Sequence, residues 1–170
     1  MQSANRGIDS NGFDYPSGPH LRKHGPQGYA TYETYKPWLR DEFVFRCVYC
    51  LTRERWYPNG QACFGVDHFV PRISAPDRIC DYDNLMYCCV RCNSFKQDNM
   101  PLDPCRIVMS EHIGIRDDGT IEAKTPQAHE HIQILGLDDP ILTEFRRRMI
   151  QALKRLQALA DKESRTDLRN

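Results

Sequence analysis

The feature that most constrains this chain is a pair of cysteine pairs. Cys47-Val-Tyr-Cys50 and Cys89-Val-Arg-Cys92 each set two thiols two residues apart. That spacing lets both sulfurs of a pair reach one tetrahedral ion, and two such pairs complete a closed structural zinc site. A thioredoxin-like redox pair is the poorer reading, because one pair would suffice and no βαβ pattern surrounds either. The chain must therefore return to its own residue 47 by residue 92. The 38 residues between the pairs (51–88) exceed the ~15–20 of a simple zinc ribbon, so the excursion holds structure of its own. Of the 8 cysteines, Cys63, Cys80, Cys88 and Cys105 read as packing residues. Cys88 competes with Cys89, but only Cys89 has the two-residue spacing to Cys92.

Patterning around the pairs predicts a mixed α+β chain. Residues 32–45 read as a helix with Pro37 in its first turn. Residues 63–71 read as a strand stopped near Pro71, residues 84–88 as a second strand, and residues 90–97 as a short helix. Residues 113–121 form a hairpin on the turn Asp118-Gly119. Pro126 opens a helix to about Leu135 with Gly136 as its cap, and a long amphipathic helix runs from Pro140 to roughly Lys162. Residues 1–30 are rich in Gly, Pro, Ser and Asn and read as an extended or flexible arm, with Phe13, Tyr15 and Tyr29 to pin it to a surface. The expected divisions are thus 1–30, 31–100 and 101–170.

Between and after the cysteine pairs lie Val66-Asp-His-Phe-Val-Pro71, then Asn84-Leu85, then Asn93 and Lys96 directly behind Cys92. Over residues 44–100, a little over a third of the chain, this order resembles the HNH endonuclease family. The last histidine of the family name is here Asn93, a variant that family also uses. The resemblance implies a zinc-stapled ββα-metal core, with a hairpin and a helix clasping one divalent cation. The N-terminal arm and helix, and the C-terminal hairpin and helices, would be additions to that core. It also implies that Asn84 orients the loop, or the His68 ring, by hydrogen bonding.

The same residues make chemical sense on their own. Cutting a phosphodiester needs a deprotonated water, a cation against the developing charge, and a proton for the leaving oxygen. His68 is the candidate base, since imidazole titrates near neutral pH. Asp67 and Asn93 offer the hard oxygens that Mg²⁺ or Mn²⁺ takes, with water and phosphate filling the remaining positions. Lys96, three residues after Asn93, shares a helical face with it and is a candidate to hold the scissile phosphate. Neighbours in a regular strand point to opposite faces. Asp67 and His68 can therefore meet at one ion only if the strand bends or ends there.

Charge bears on partners. Lys plus Arg is 23 and Asp plus Glu is 23, which excludes a chain that coats nucleic acid with positive charge. The excess is local: residues 101–139 carry five more acidic than basic groups, and residues 140–170 four more basic than acidic. Arg146, Arg147 and Arg148 lead that basic helix and, with Arg91 and Lys96, are the candidate nucleic-acid contacts. The leading expectation is a DNA endonuclease nicking one strand per site. Two rivals stand beside it: a zinc module that binds nucleic acid or protein without cutting, and the nuclease subunit of a larger bacterial assembly such as an antiphage defence complex with an ATPase. A homodimer is a further expectation, since a double-strand break needs two sites or two successive cuts. The first residues carry no apolar run, and no stretch approaches the ~20 residues of a membrane span. The expectation is a cytoplasmic chain in a reducing compartment, with no membrane partner.

Overall fold

The computed structural model describes residues 11–167, with side chains as far as residue 162. Its architecture is α+β, with two separate two-stranded antiparallel sheets among helices. A 3₁₀ turn at Tyr32–Tyr35 leads into α1 (Lys36–Glu42), with Pro37 in the first turn as its missing N–H requires. Strand β1 (Phe64–His68) pairs with β2 (Leu85–Cys89), which runs straight into α2 (Val90–Lys96). Helix α2 packs on both strands. The expected strand over 63–71 is therefore shorter, ending at His68. Beyond it Val70 leaves the ladder to bond the side chain of Asn84.

Every residue of β2 is buried. Its sequence, Leu-Met-Tyr-Cys-Cys, lacks the apolar–polar alternation of a half-solvated strand, and the fold covers both of its faces. The core around it takes Tyr35, Leu39 and Phe43 from one side, and Ile132, Leu135, Leu137 and Leu142 from the C-terminal helices. Residues 101–162 thus contribute to the same core as the cysteine region.

The C-terminal part adds the short α3 (Met109–His112), then β3 (Ile113–Ile115) and β4 (Ile121–Ala123). Helix α4 (Pro126–Leu135) has Thr125 at its N-cap, accepting from the Ala128 amide, and Gly136 in the left-handed conformation at its end. Helix α5 (Pro140–Asp167) starts on Asp139, whose Oδ1 accepts from the amides of Ile141 and Leu142. At Gly119 the β3–β4 turn presses on α5: a Cβ there would lie 2.3 Å from the Thr143 carbonyl, and φ is +86°. No other residue fits that turn.

From residue 11 to residue 30 the chain runs without helix or strand and is built into the surface; residues 1–10 of the arm lie outside the described part. Phe13 and Tyr15 are buried in a second apolar cluster with Leu51, Met109, Ile113, Ala128 and Ile150. The Tyr15 hydroxyl donates to the Tyr49 carbonyl at 2.7 Å. Among the described residues, no helix is long and apolar enough to cross a membrane.

Candidate metal centre and polar cleft

The four knuckle cysteines converge. The Sγ atoms of Cys47, Cys50, Cys89 and Cys92 lie within 4.8 Å of one another, and all four residues are buried. Bonds of about 2.3 Å to the corners of a tetrahedron put sulfurs about 3.8 Å apart, and Cys50 and Cys89 Sγ are 3.8 Å apart. Local backbone builds this arrangement. Leu51, with φ +60°, turns the first knuckle back on itself, so that its amide reaches the Cys47 carbonyl and the Cys47 amide reaches Thr52. The Val48 amide donates to the Tyr87 carbonyl and ties this knuckle to β2. In the second knuckle Cys89 closes β2 and caps α2, its sulfur accepting from the Cys92 amide at 3.5 Å. Four soft donors in a dry tetrahedral cluster fit zinc. The ion would staple the first knuckle to the junction of β2 and α2. All eight cysteines are free thiols, and Cys88 sits on β2 outside the cluster.

Next to this junction opens a polar cleft of about 240 Å³, lined by Asp67, His68, Pro71, Arg72, Asn93, Asp98 and Tyr32, among others. Asp67 and His68 are strand neighbours and yet both line it, because β1 ends at His68. Asn93, one residue beyond Cys92 on α2, is exposed at the cleft. Larger hollows lie elsewhere: one of about 440 Å³ beside Arg40, Phe45 and Arg53, one of about 680 Å³ beneath the arm, and one of about 430 Å³ on α5 beside Ile141, Phe145 and Arg148.

His68 is held by its ring and beside its ring. Nε2 lies 2.9 Å from the Ile79 carbonyl. A carbonyl only accepts, so the neutral ring carries its proton on Nε2 and leaves Nδ1 as the acceptor. The Tyr32 ring packs edge-on at 4.6 Å. Burial, aided by the positive charge of Arg72, holds the imidazole below its ordinary pKa, against the opposing pull of the Ile79 carbonyl. Asp67 is buried; its Oδ2 accepts from the Tyr49 hydroxyl at 2.6 Å, and its Oδ1 lies 3.3 Å from Lys96 Nζ. Burial raises its carboxyl above the usual range, while Lys96 and Tyr49 pull the other way.

Several expected roles change in the structure. Lys96 is 0% exposed, and its ammonium donates to the His68 carbonyl at 2.7 Å, so it does not present a charge to a phosphate. Helix α2 lies between core and cleft, and despite their three-residue spacing Asn93 is exposed at the cleft while Lys96 is buried. Asn84 orients the loop, not the His68 ring. Its Oδ1 accepts from the Val70 amide at 2.8 Å, and its Nδ2 donates to the Val70 carbonyl at 3.1 Å. Arg91 donates to the Leu135 and Gly136 carbonyls at the end of α4 and stacks on Phe95, which takes it out of the nucleic-acid set. Arg146 is buried, with its guanidinium on the Gly119 and Leu137 carbonyls. Arg147 and Arg148 both pair with Glu144. Tyr32, Arg72 and Asp98 were not anticipated at the cleft. Their only sequence signal is that Arg72 directly follows Pro71. His131 is a buried packing group, its Nδ1 accepting from the Leu102 amide. Compared with protein-family models and with curated proteins, the chain matches none.

Proposed function

We propose that this chain is a metal-dependent endonuclease of the HNH type that hydrolyses phosphodiester bonds in DNA. The observation that carries this reading is the convergence of Asp67, His68 and Asn93 on one polar cleft beside the four-cysteine cluster. In this reading the hairpin β1–β2 and helix α2 are the ββα-metal core. His68 accepts a proton from the attacking water at Nδ1, because Nε2 is engaged by Ile79. Asp67 and Asn93 hold the divalent cation, Mg²⁺ or Mn²⁺, which supplies charge neutralisation at the phosphate. Lys96 and Tyr49 keep the Asp67 carboxylate in place from below. Asn84 fixes the strand end that carries His68. The structural zinc does no chemistry; it sets the distance between the strand that bears Asp67 and His68 and the helix that bears Asn93.

A second reading has its own observation. Both carboxylate oxygens of Asp67 are already engaged, which suits a zinc module that binds DNA or protein without cutting. One experiment separates the two: purified protein incubated with supercoiled plasmid and a panel of divalent cations. The nuclease reading expects nicked circles with Mg²⁺ or Mn²⁺. It expects His68→Ala to keep zinc and fold while its rate drops ~10²–10⁴-fold, the usual worth of a positioned base. Wild-type protein that leaves the plasmid intact with every cation favours the binding module. A neutral chain holds DNA weakly by charge alone, so a second copy or a larger partner subunit would supply the missing contacts.

A further inference from the structure

We infer that Arg72 is the residue that grips the scissile phosphate in this cleft, the duty that the buried Lys96 does not perform. The inference rests on the nuclease reading and adds to its divalent cation a side-chain cation for the phosphate. The cleft walls carry the carboxylates Asp67 and Asp98, so a phosphate entering it meets like charge unless a cation of the chain faces it. Lys96 is the cation that the sequence offers for this duty, but drawing its ammonium out would strand the buried Asp67 carboxylate and the His68 carbonyl.

Arg72 does line the cleft, and it is exposed. Among the described residues its guanidinium makes no ion pair and no hydrogen bond. It lies over the Tyr32 ring, 5.8 Å from the centroid, and that ring in turn packs on His68. The backbone on both sides of it is fixed. The Pro71 carbonyl accepts from the amides of Ser74 and Ala75, and Asn84 bonds Val70 through both its amide and its carbonyl. A stacked guanidinium has less conformational freedom to lose than a free one. Its planar fork of donors matches two phosphate oxygens at once, which an ammonium cannot do. Placed beside the proposed base and bearing unspent donors, Arg72 stabilises the charge that gathers on the phosphate as the bond breaks.

The test uses Arg72→Gln and Arg72→Met; the methionine keeps an apolar stem on Tyr32 and removes the charge. Duplex binding is measured against salt in a His68→Ala background with no divalent cation added, so the readout does not depend on cleavage. Both variants should flatten the slope of log affinity on log salt by about one phosphate contact. On the otherwise wild-type chain both should lower plasmid nicking ~10²–10³-fold. Thermal melting and Mn²⁺ binding should stay as in wild type. Arg72→Lys should keep the salt slope and recover only part of the rate. Unchanged slope and unchanged nicking in both variants overturn the inference while the nuclease reading stands. Loss of Mn²⁺ binding or of the fold in both also overturns it, since Arg72 would then be a structural residue. A wild-type chain that neither binds duplex nor nicks it with any cation defeats the inference together with the reading beneath it.

Discussion

Arg146 opens a run of three arginines on a basic helix, and the run does not act as one patch. Arg147 and Arg148 share Glu144 near the surface, while the Arg146 guanidinium is 1% exposed. It donates to the Gly119 carbonyl at 2.7 Å, the Leu137 carbonyl at 2.8 Å and the Thr143 hydroxyl at 3.1 Å. A single side chain thereby bonds the β3–β4 turn, the α4–α5 connection and α5. Removing a charged donor leaves those buried carbonyls unsatisfied, and hydrogen bonds to charged groups are worth ~1.5–3 kcal/mol each. Arg146→Met should therefore destabilise the fold by about 2–4 kcal/mol in urea unfolding. Arg147→Gln should change it by less than ~0.5 kcal/mol, because exposed pairs contribute little. Equal, small effects of the two substitutions would mean that the buried position carries no special load.

Among the elements, the described part of the arm has neither helix nor strand, and one acid gathers its residues 20–24. Glu42, at the end of α1, is fully buried and accepts four hydrogen bonds: from the amides of Lys23 and His24, from the His20 ring and from the Tyr82 hydroxyl. Burial would raise its carboxyl, but these donors outweigh it and hold Glu42 below its ordinary value. The His20 ring is held below its ordinary value too, chiefly by burial and despite Glu42. Both groups bind fewer protons folded than unfolded, so stability falls as pH falls. The His20 contribution begins to go below about pH 6.5, and the Glu42 contribution begins to go below about 4.3, the ordinary values of such groups. The Lys23 and His24 amides should lose hydrogen-exchange protection in acid, below the ordinary carboxylate range, before the amides of β2 do. Glu42→Gln, which accepts fewer bonds, should lose that protection already at neutral pH. Protection of the arm that follows β2 at every pH would show that the arm does not release on its own.

At the scale of the molecule, the cysteine cluster joins the pieces on which everything else depends. Without an ion, four thiols crowd a dry volume between the first knuckle, β2 and α2. Structural zinc contributes apparent free energies of ~10–16 kcal/mol in small zinc peptides, while a whole domain is stable by only ~5–15 kcal/mol. Chelation, or Cys89→Ser, should therefore remove zinc and cost most of the cooperative unfolding transition, even though the chain is long enough to have a large apolar core. Metal analysis joined to near-ultraviolet circular dichroism checks this. Zinc-free protein with an intact tertiary spectrum would reduce the cluster to four packed thiols.

What the sequence by itself determined is what depends on short spacing. The two-residue gaps of the cysteine pairs let the two sulfurs of each pair reach one ion, and two such pairs announce a four-sulfur site. Pro37, Pro126, Gly136 and Asp118-Gly119 mark helix and turn positions through φ or a missing N–H, and the structure has Pro37 and Pro126 in first turns, Gly136 at a helix end and Asp118-Gly119 between two strands. The ordering of Asp67, His68, Asn84 and Asn93 around the pairs likewise needed no coordinates. Only the tertiary structure decided which charges face solvent. Lys96 and Arg146 look in sequence like any helix cations, and Arg72 like any loop cation, because nothing within a few residues reports what packs above them. Lys96 is buried by the return of β1 and Arg146 by the turn at Gly119, contacts across 28 and 27 residues. Arg72 stays open because Tyr32, forty positions earlier, stacks beneath it without taking its donors. Whether a charged group is spent inside the fold or left for a ligand is settled by contacts of that length.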